Sequence, residues 1–329
     1  MTKKRILTGD RPTGKLHLGH YVGSLENRVR LQHEYDTFII LADVQALTTN
    51  FDRPEALKQD IFNITLDYLS AGLDPNVATI FIQSLIPALH ELTMYYGLFV
   101  PVNVLRINPT IKTEAKQHGF KDMPYGFLGY PVSQAADITA FKANLVPVGE
   151  DQIPHIELTR KIARRFNDLY KPVLVEPEAL IGEVPRLAGL DGKTKMSKSL
   201  NNAIYLSDPD TDVQAKIKNA ITDPARIRAT DPGHPDICSV FAYHNVFCKE
   251  GVADLRQECE GGKIGCVACK KNLSGAINGL LDPMREKRTQ YEGRPDMIWD
   301  ILKEGTRRAV EVSNQTLAEV REAMQIDYF

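Results

Sequence analysis

Two histidines three residues apart, His17 and His20, close the run T-G-D-R-P-T-G-K-L-H-L-G-H at residues 8–20. Imidazoles three apart in the first turn of a helix share one face of it. The flanking residues predict such a helix. Arg5-Ile6-Leu7 is a short apolar run with strand character, and Leu18, Val22, Leu25, Val29 and Leu31 recur at helical spacing. Between them lies a strand-to-helix turn in which Gly9 and Gly14 permit backbone conformations that other residues resist and Pro12 fixes one torsion. Two imidazole donors beside the free N–H groups of a helix start make a site for a polyphosphate. The plainer alternative is a polar surface on a common Gly/Pro turn. The run contains neither G-x-x-x-x-G-K-[S/T] nor G-x-G-x-x-G.

Residues 191–199, D-G-K-T-K-M-S-K-S, bring Lys193, Lys195 and Lys198 into one aperiodic segment, read as a mobile cationic loop. Alone it is a solvated loop. Paired with the upstream run, it resembles the KMSKS signature, and P-T-G-K-L-H-L-G-H resembles the HIGH signature, of class I aminoacyl-tRNA synthetases. Four further stretches narrow the resemblance to bacterial tryptophanyl-tRNA synthetases: Tyr130-Pro131-Val132-x-Gln134-Ala135-Ala136-Asp137, Gly149-Glu150-Asp151-Gln152, Asp223-Pro224-Ala225-Arg226, and Asp231-Pro232-Gly233. The closest rival is a tyrosyl-tRNA synthetase, followed by an adenylyltransferase without tRNA and a non-catalytic RNA-binding paralogue.

The resemblance implies activation of L-tryptophan by ATP with Mg2+, transfer to tRNA(Trp), and a homodimer. His17, His20, Lys195 and Lys198 would act on the phosphates. Gly9, Arg11, Pro12, Thr13, Gly19, Gly149, Glu150, Asp151, Val184, Met196, Ser197 and Ser199 would join them around ATP. Asp137, Gln45, Tyr130, Gln134 and Gln152 would receive tryptophan. Asp137 suits the indole because that ring offers one donor and no acceptor; its plainer reading is a salt-bridged or capped carboxylate. Gln45 stands where the family pattern has His, and Arg11 where it often has Gln.

These residues need a scaffold. The chain has 329 residues, 43% hydrophobic and 25% charged, enough for two domains with a sizeable core. Its net charge of −2 leaves any attraction for nucleic acid to a local basic face. There is no signal-peptide pattern after Met1 and no run near the ~18 apolar residues needed for a membrane span, so a cytoplasmic protein is expected. Residues 37–43 and Ala78–Ile82 read as strands buried on both faces of a parallel sheet. Pro54–Leu73 reads as a helix stopped by Gly72, and His90–Phe99, Gln134–Phe141 and a stretch through Arg165 as further helices. Val146–Val148 reads as a strand. This alternation predicts an α/β doubly wound parallel sheet of Rossmann-like, HUP-type form. Its catalytic domain would cover 1–203, with the sheet ending near residue 176. An insertion at about 101–130 would carry dimer and acceptor-stem contacts, where Lys112, Lys116 and Lys121 suit phosphates or are solvated surface. An α-helical anticodon-binding domain would cover 204–329. Its tail, Met297–Met324, reads as two helices around an Asn/Gln break, the last packing back on the first domain.

All five cysteines fall between residues 238 and 269. In a cytosolic chain this points away from a disulfide framework. Cys238, Cys259, Cys266 and Cys269 fit either tetrahedral zinc or a [4Fe–4S] cluster, with Cys248 as a rival ligand or a core residue. A subset of the resembled family carries a [4Fe–4S] cluster on four such cysteines. That implies a structural cluster, with Lys263, Lys270 and Lys271 facing RNA phosphates.

Overall fold

β1 (Arg5–Asp10) is the centre of a five-stranded parallel sheet in the order β3-β2-β1-β4-β5. The computed structural model describes residues 3–181, 187–192, 194, 196–197 and 200–328. β2 (Asp36–Leu41) pairs with β1, so that Gly9 faces Ile40 across the ladder. A Cβ at Gly9 would lie 2.0 Å from the Ile40 carbonyl oxygen, which is why glycine stands there. Side chains alternate between two cores. Phe38, Ile40 and Phe81 point to one face of the sheet and Ile39, Leu41, Ile80 and Ile82 to the other. Burial on both faces explains the continuous apolar runs.

After β1 come α1 (Leu18–His20), a π-helical turn at Tyr21–Leu25, and α2 (Glu26–Leu31). α3 (Asp43–Asn50) follows β2, and α4 (Leu57–Ala71) ends at Gly72, whose φ of 112° is the left-handed stop expected from the sequence. β3 (Thr79–Ile82) is one edge of the sheet. The chain then builds α5 (Pro87–Gly97), α6 (Val102–Ile107), α7 (Pro109–Gln117) and α8 (Tyr125–Ala140) before β4 (Leu145–Val148) returns to the far side of β1. The reversal between β1 and β4 is a topological switch point, where open α/β sheets leave a crevice beyond the strand ends. α9 (Ile153–Leu169) leads to β5 (Glu178–Ile181).

β5 corrects the expected sheet boundary, because pairing continues past residue 176. Its four residues are only partly covered, so the strand lacks a buried run's signal. Helices follow: α10 (Asp210–Asn219), α11 (Ser239–Phe247), α12 (Val252–Glu260), α13 (Cys266–Glu292) and α14 (Pro295–Met324). α14 is one helix and not two. Asn314 and Gln315 are tolerated inside helices, and buried Ala309, Ser313, Thr316, Leu317 and Val320 keep one face continuous through them. It packs back on β3 so closely that a Cβ at Gly305 would meet the Ile80 carbonyl oxygen at 1.9 Å.

Candidate active site

His17 is the N-cap of α1, and its ring lies against that of His20 with centroids 3.8 Å apart. The His17 backbone N–H donates to His20 Nδ1 at 3.2 Å. An accepting Nδ1 leaves the proton on Nε2 in the neutral ring. The backbone around His17 is paired on both sides. Leu206 N–H donates to the Leu16 carbonyl at 3.0 Å, and Leu18 N–H donates to the Ile204 carbonyl at 2.9 Å. Gly19 lies under the second signature, its N–H 3.4 Å from Met196 Sδ. The π-turn directly after the pair is a local irregularity of the kind found at functional sites.

A cavity of about 340 Å3 opens at the switch point between the ends of β1 and β4. Gly9 and Arg11 enter it from β1, Gln45 from α3, and Gly149 and Gln152 from the turn after β4. α8 contributes Tyr130, Gln134 and Asp137, which one helix face presents together. Leu7, Ile40, Ile138, Val146 and Val148 supply apolar wall. Apolar walls with a few convergent polar groups describe a small-molecule site.

Asp137 is 3% exposed. Burial pushes its carboxyl up to about 7; Gln83 opposes the shift and Asp43 adds to it. Gln83 Nε2 donates to both Asp137 oxygens, at 2.9 and 2.8 Å, while Gln83 Oε1 accepts the Gln45 N–H at 3.2 Å. Asp43, at the end of β2, accepts from Ser84 N–H and Oγ. Gln83 is absent from the residues expected from sequence. Its signal is the one that marks Asp43, a polar residue closing a buried strand.

A second polar group, also unforeseen, centres on Glu114 of α7. Tyr130 Oη donates to Glu114 at 2.8 Å and lies 2.9 Å from His155 Nε2, and Arg11 approaches Glu114 at 3.6 Å. Burial, helped by Glu114, drives the Tyr130 phenol well above its ordinary range, and burial holds the His155 imidazole down at about 4. Beneath the turn, Arg28 and Tyr68 both donate to Asp10, at 2.6 and 2.5 Å. Burial disfavours that carboxylate, but the charge and hydrogen bond of Arg28, with His20 and Tyr68, together outweigh it and hold Asp10 below the ordinary carboxylate range.

The other expected residues scatter around this centre. Pro12 is buried in the turn, Thr13 is exposed on it, and Glu150 and Asp151 are exposed on the turn after β4. Ser197 N–H donates to Asn202 Oδ1 at 2.8 Å. Val184, Lys193, Lys195, Lys198 and Ser199 lie outside the described residues.

Four of the five cysteines interact with one another. Burial, then Cys238, Cys259 and Cys266, push the Cys269 thiol up to about 12, with Arg226 opposing. Arg226 also points a guanidinium nitrogen at Cys259 and Cys266 sulfur, at 3.8 and 4.0 Å. Cys248 is raised by burial alone. Among the described residues, no three Cys, His or carboxylate side chains converge on one ion. Lys270 corrects an expectation: its ammonium donates to the Lys218 and Ala220 carbonyls, at 2.8 and 2.7 Å, capping α10 instead of facing outward.

Residues 2–282 match the family model of class I tRNA synthetases (W and Y). The chain is 50% identical over 337 residues to the tryptophan–tRNA ligase of Clostridium longisporum, covering all of this chain and 99% of that one. It is 51% identical over 340 residues, and full length on both sides, to the tryptophan–tRNA ligase of Streptococcus pneumoniae serotype 4. The crystal structure of Campylobacter jejuni tryptophanyl-tRNA synthetase complexed with ADP and tryptophan superposes with a TM-score of 0.88 at 30% identity, over 98% of this chain and 99% of that one. Among the described residues, no helix is long and apolar enough to cross a membrane.

Proposed function

The chain belongs to the class I tRNA synthetases of the tryptophan and tyrosine type, and on that premise we propose how its cavity and paired histidines do the chemistry. It activates L-tryptophan with ATP, giving tryptophanyl-adenylate and pyrophosphate, and transfers the amino acid to tRNA(Trp). The observation that carries the residue assignment is Asp137, a buried carboxylate on the cavity wall beside apolar Ile40, Ile138 and Val146.

Indole has one donor and no acceptor, so Asp137 accepts its N–H while the apolar walls take the ring. A phenol both donates and accepts, and it leaves this arrangement mismatched, which disfavours the tyrosyl reading. Gln45, Tyr130, Gln134 and Gln152 hold the rest of the amino acid. The first step needs no general base, because the amino-acid carboxylate is already ionised at pH 7. It attacks the α-phosphorus in line, a bond to the acyl oxygen forming as the bond to pyrophosphate breaks. The barrier is one of positioning and charge. His17 and His20 donate to phosphate oxygens, and Lys195 and Lys198 neutralise the leaving pyrophosphate. Arg11 adds a phosphate contact, while Gly149, Asp151 and Glu150 meet the ribose. Donors that tighten in the transition state raise the rate. Mg2+, held mainly by ATP, would neutralise part of the phosphate charge when bound.

Residues 1–203 carry this chemistry in the cytoplasm, and 204–329 hold the anticodon end of tRNA. A homodimer forms over exposed Met94, Leu98, Ile107 and Tyr125. Cys238, Cys259, Cys266 and Cys269 hold a structural [4Fe–4S] cluster. The closeness of Cys238, Cys259 and Cys266 to Cys269 and the two Arg226–sulfur contacts support a four-sulfur site with a charged neighbour. The cluster takes no part in activation.

The test is ATP–pyrophosphate exchange without tRNA, run with tryptophan, with tyrosine and with neither. Exchange with tryptophan alone supports the reading. Exchange with tyrosine overturns the Asp137 assignment but keeps the fold's chemistry. No exchange with either rejects the activity.

A further inference from the structure

Asp67 of α4 receives two donors from opposite ends of the chain. Its Oδ2 accepts the backbone N–H of Leu16 at 2.7 Å, and its Oδ1 is gripped by the guanidinium of Arg288 near the end of α13. Both residues are buried, at 1% and 8% exposure. Leu16 is the residue before His17, so the peptide that carries His17 is tied through one carboxylate to a helix that begins at Cys266.

The same helix reaches the other side of His17. Arg285, three residues before Arg288 and so on the same face of α13, donates from Nε to the Asp208 carbonyl at 2.8 Å. The Asp208 carboxylate accepts Tyr205 N–H at 2.8 Å and Lys216 Nζ at 2.6 Å. Tyr205 is the residue that bridges to His17, flanked by the two backbone bonds to Leu16 and Leu18. The contacts that hold Leu16 and Tyr205, on either side of His17, thus lead back to one face of α13.

A buried Arg–Asp pair between two helices is often replaceable by apolar side chains without loss of stability. An apolar pair could not supply the second bond, to Leu16 N–H, and an orphaned backbone donor beside His17 would have to turn elsewhere. We propose that Arg288 is a positioning residue for adenylate formation: it orients Asp67, which holds the Leu16 peptide and so aims His17. The idea rests on the reading of His17 as a phosphate donor.

The test is single-turnover adenylate formation with the full-length protein, alongside the tryptophan KM. Arg288→Met should slow the step about tenfold or more with KM held within about twofold. Because that variant leaves a buried charge, two paired variants accompany it. Asp67→Asn with Arg288→Met keeps an acceptor for Leu16 and should keep most of the rate. Asp67→Leu with Arg288→Met removes the acceptor and should lose it, at a comparable melting temperature. Combining Asp67→Leu and Arg288→Met with His17→Ala should add less than about twofold to the loss from His17→Ala alone. Full additivity, equal rates in the two paired variants, or a change confined to KM overturns the relay. If His17→Ala itself reacts at the normal rate, the donor role of His17 fails, and the relay with it.

Discussion

A single amide nitrogen, Gln83 Nε2, serves both oxygens of Asp137, at 2.9 and 2.8 Å. The Gln45 N–H, on the other end of that amide, fixes which end faces the carboxylate. The Asp137 anion is therefore held as an acceptor before any ligand arrives, and in that form it has only acceptance to offer the cavity.

Replacing Gln83 by Leu should loosen that discrimination. Without the amide, the desolvation of Asp137 goes unrelieved and the carboxyl takes a proton more readily. A neutral carboxyl both donates and accepts. The variant should lose roughly tenfold in kcat/KM for tryptophan, about the worth of one hydrogen bond to a charged group. It should lose less for a tryptophan isostere with sulfur in place of the indole N–H. Pyrophosphate exchange with the two substrates measures the ratio; equal losses would remove Gln83 from specificity.

The pH profile follows from the same carboxyl, whose proton is held up to about 7. The anion is the form that accepts the indole N–H, and it is lost as pH falls through that value. kcat/KM for tryptophan reports the free enzyme, so it should fall about tenfold per unit below the break. Asp137→Asn should flatten the limb at a lower plateau. A wild-type profile flat down to pH 6 would mean that Asp137 is already ionised there.

His155 predicts acid sensitivity of the fold. Burial depresses its pKa from the ordinary imidazole value near 6.5 to about 4. The unfolded chain therefore binds a proton at a pH where the folded one does not. This contribution is complete above about 6.5 and drains away as pH falls toward about 4, by on the order of 3 kcal/mol. His155→Gln keeps a donor for Tyr130 and removes the titration. Between pH 7 and 5 its melting temperature should fall less than that of the wild type, with urea midpoints as the check.

Sequence reading found what local chemistry marks. The turn at residues 8–20 shows in its glycines, proline and histidines, and the inner strands show in their apolar runs because both faces are covered. β5 escaped because an edge strand of four partly covered residues has no such run. Asn314 and Gln315 look like a break, yet nothing in them forbids helix where the packed face continues. Gln83, Glu114 and Arg288 acquire meaning only from partners far along the chain, Asp137, Tyr130 and Asp67, which spacing cannot foresee. Lys270 looked like a phosphate contact because charge was visible and the carbonyl ends of α10 were not.

The cysteines divide unequally, which predicts how their variants separate. Cys248 is raised by burial alone and has no sulfur neighbour among the causes of its shift, whereas Cys269 feels Cys238, Cys259 and Cys266 together. Cys248→Ser should leave iron and sulfide content and visible absorbance unchanged in anaerobically purified protein, and Cys269→Ser should abolish all three. Arg226 supplies donors to two of the sulfurs, and donors and positive charge favour the reduced, more negative state of a cluster. Arg226→Ala should therefore retain iron but shift the midpoint potential downward. Because none of the cysteines lines the cavity, exchange with tryptophan should persist in Cys269→Ser if the helices remain folded, while charging of tRNA falls. Zinc in place of iron, or iron retained by Cys269→Ser and lost by Cys248→Ser, would reverse the assignment.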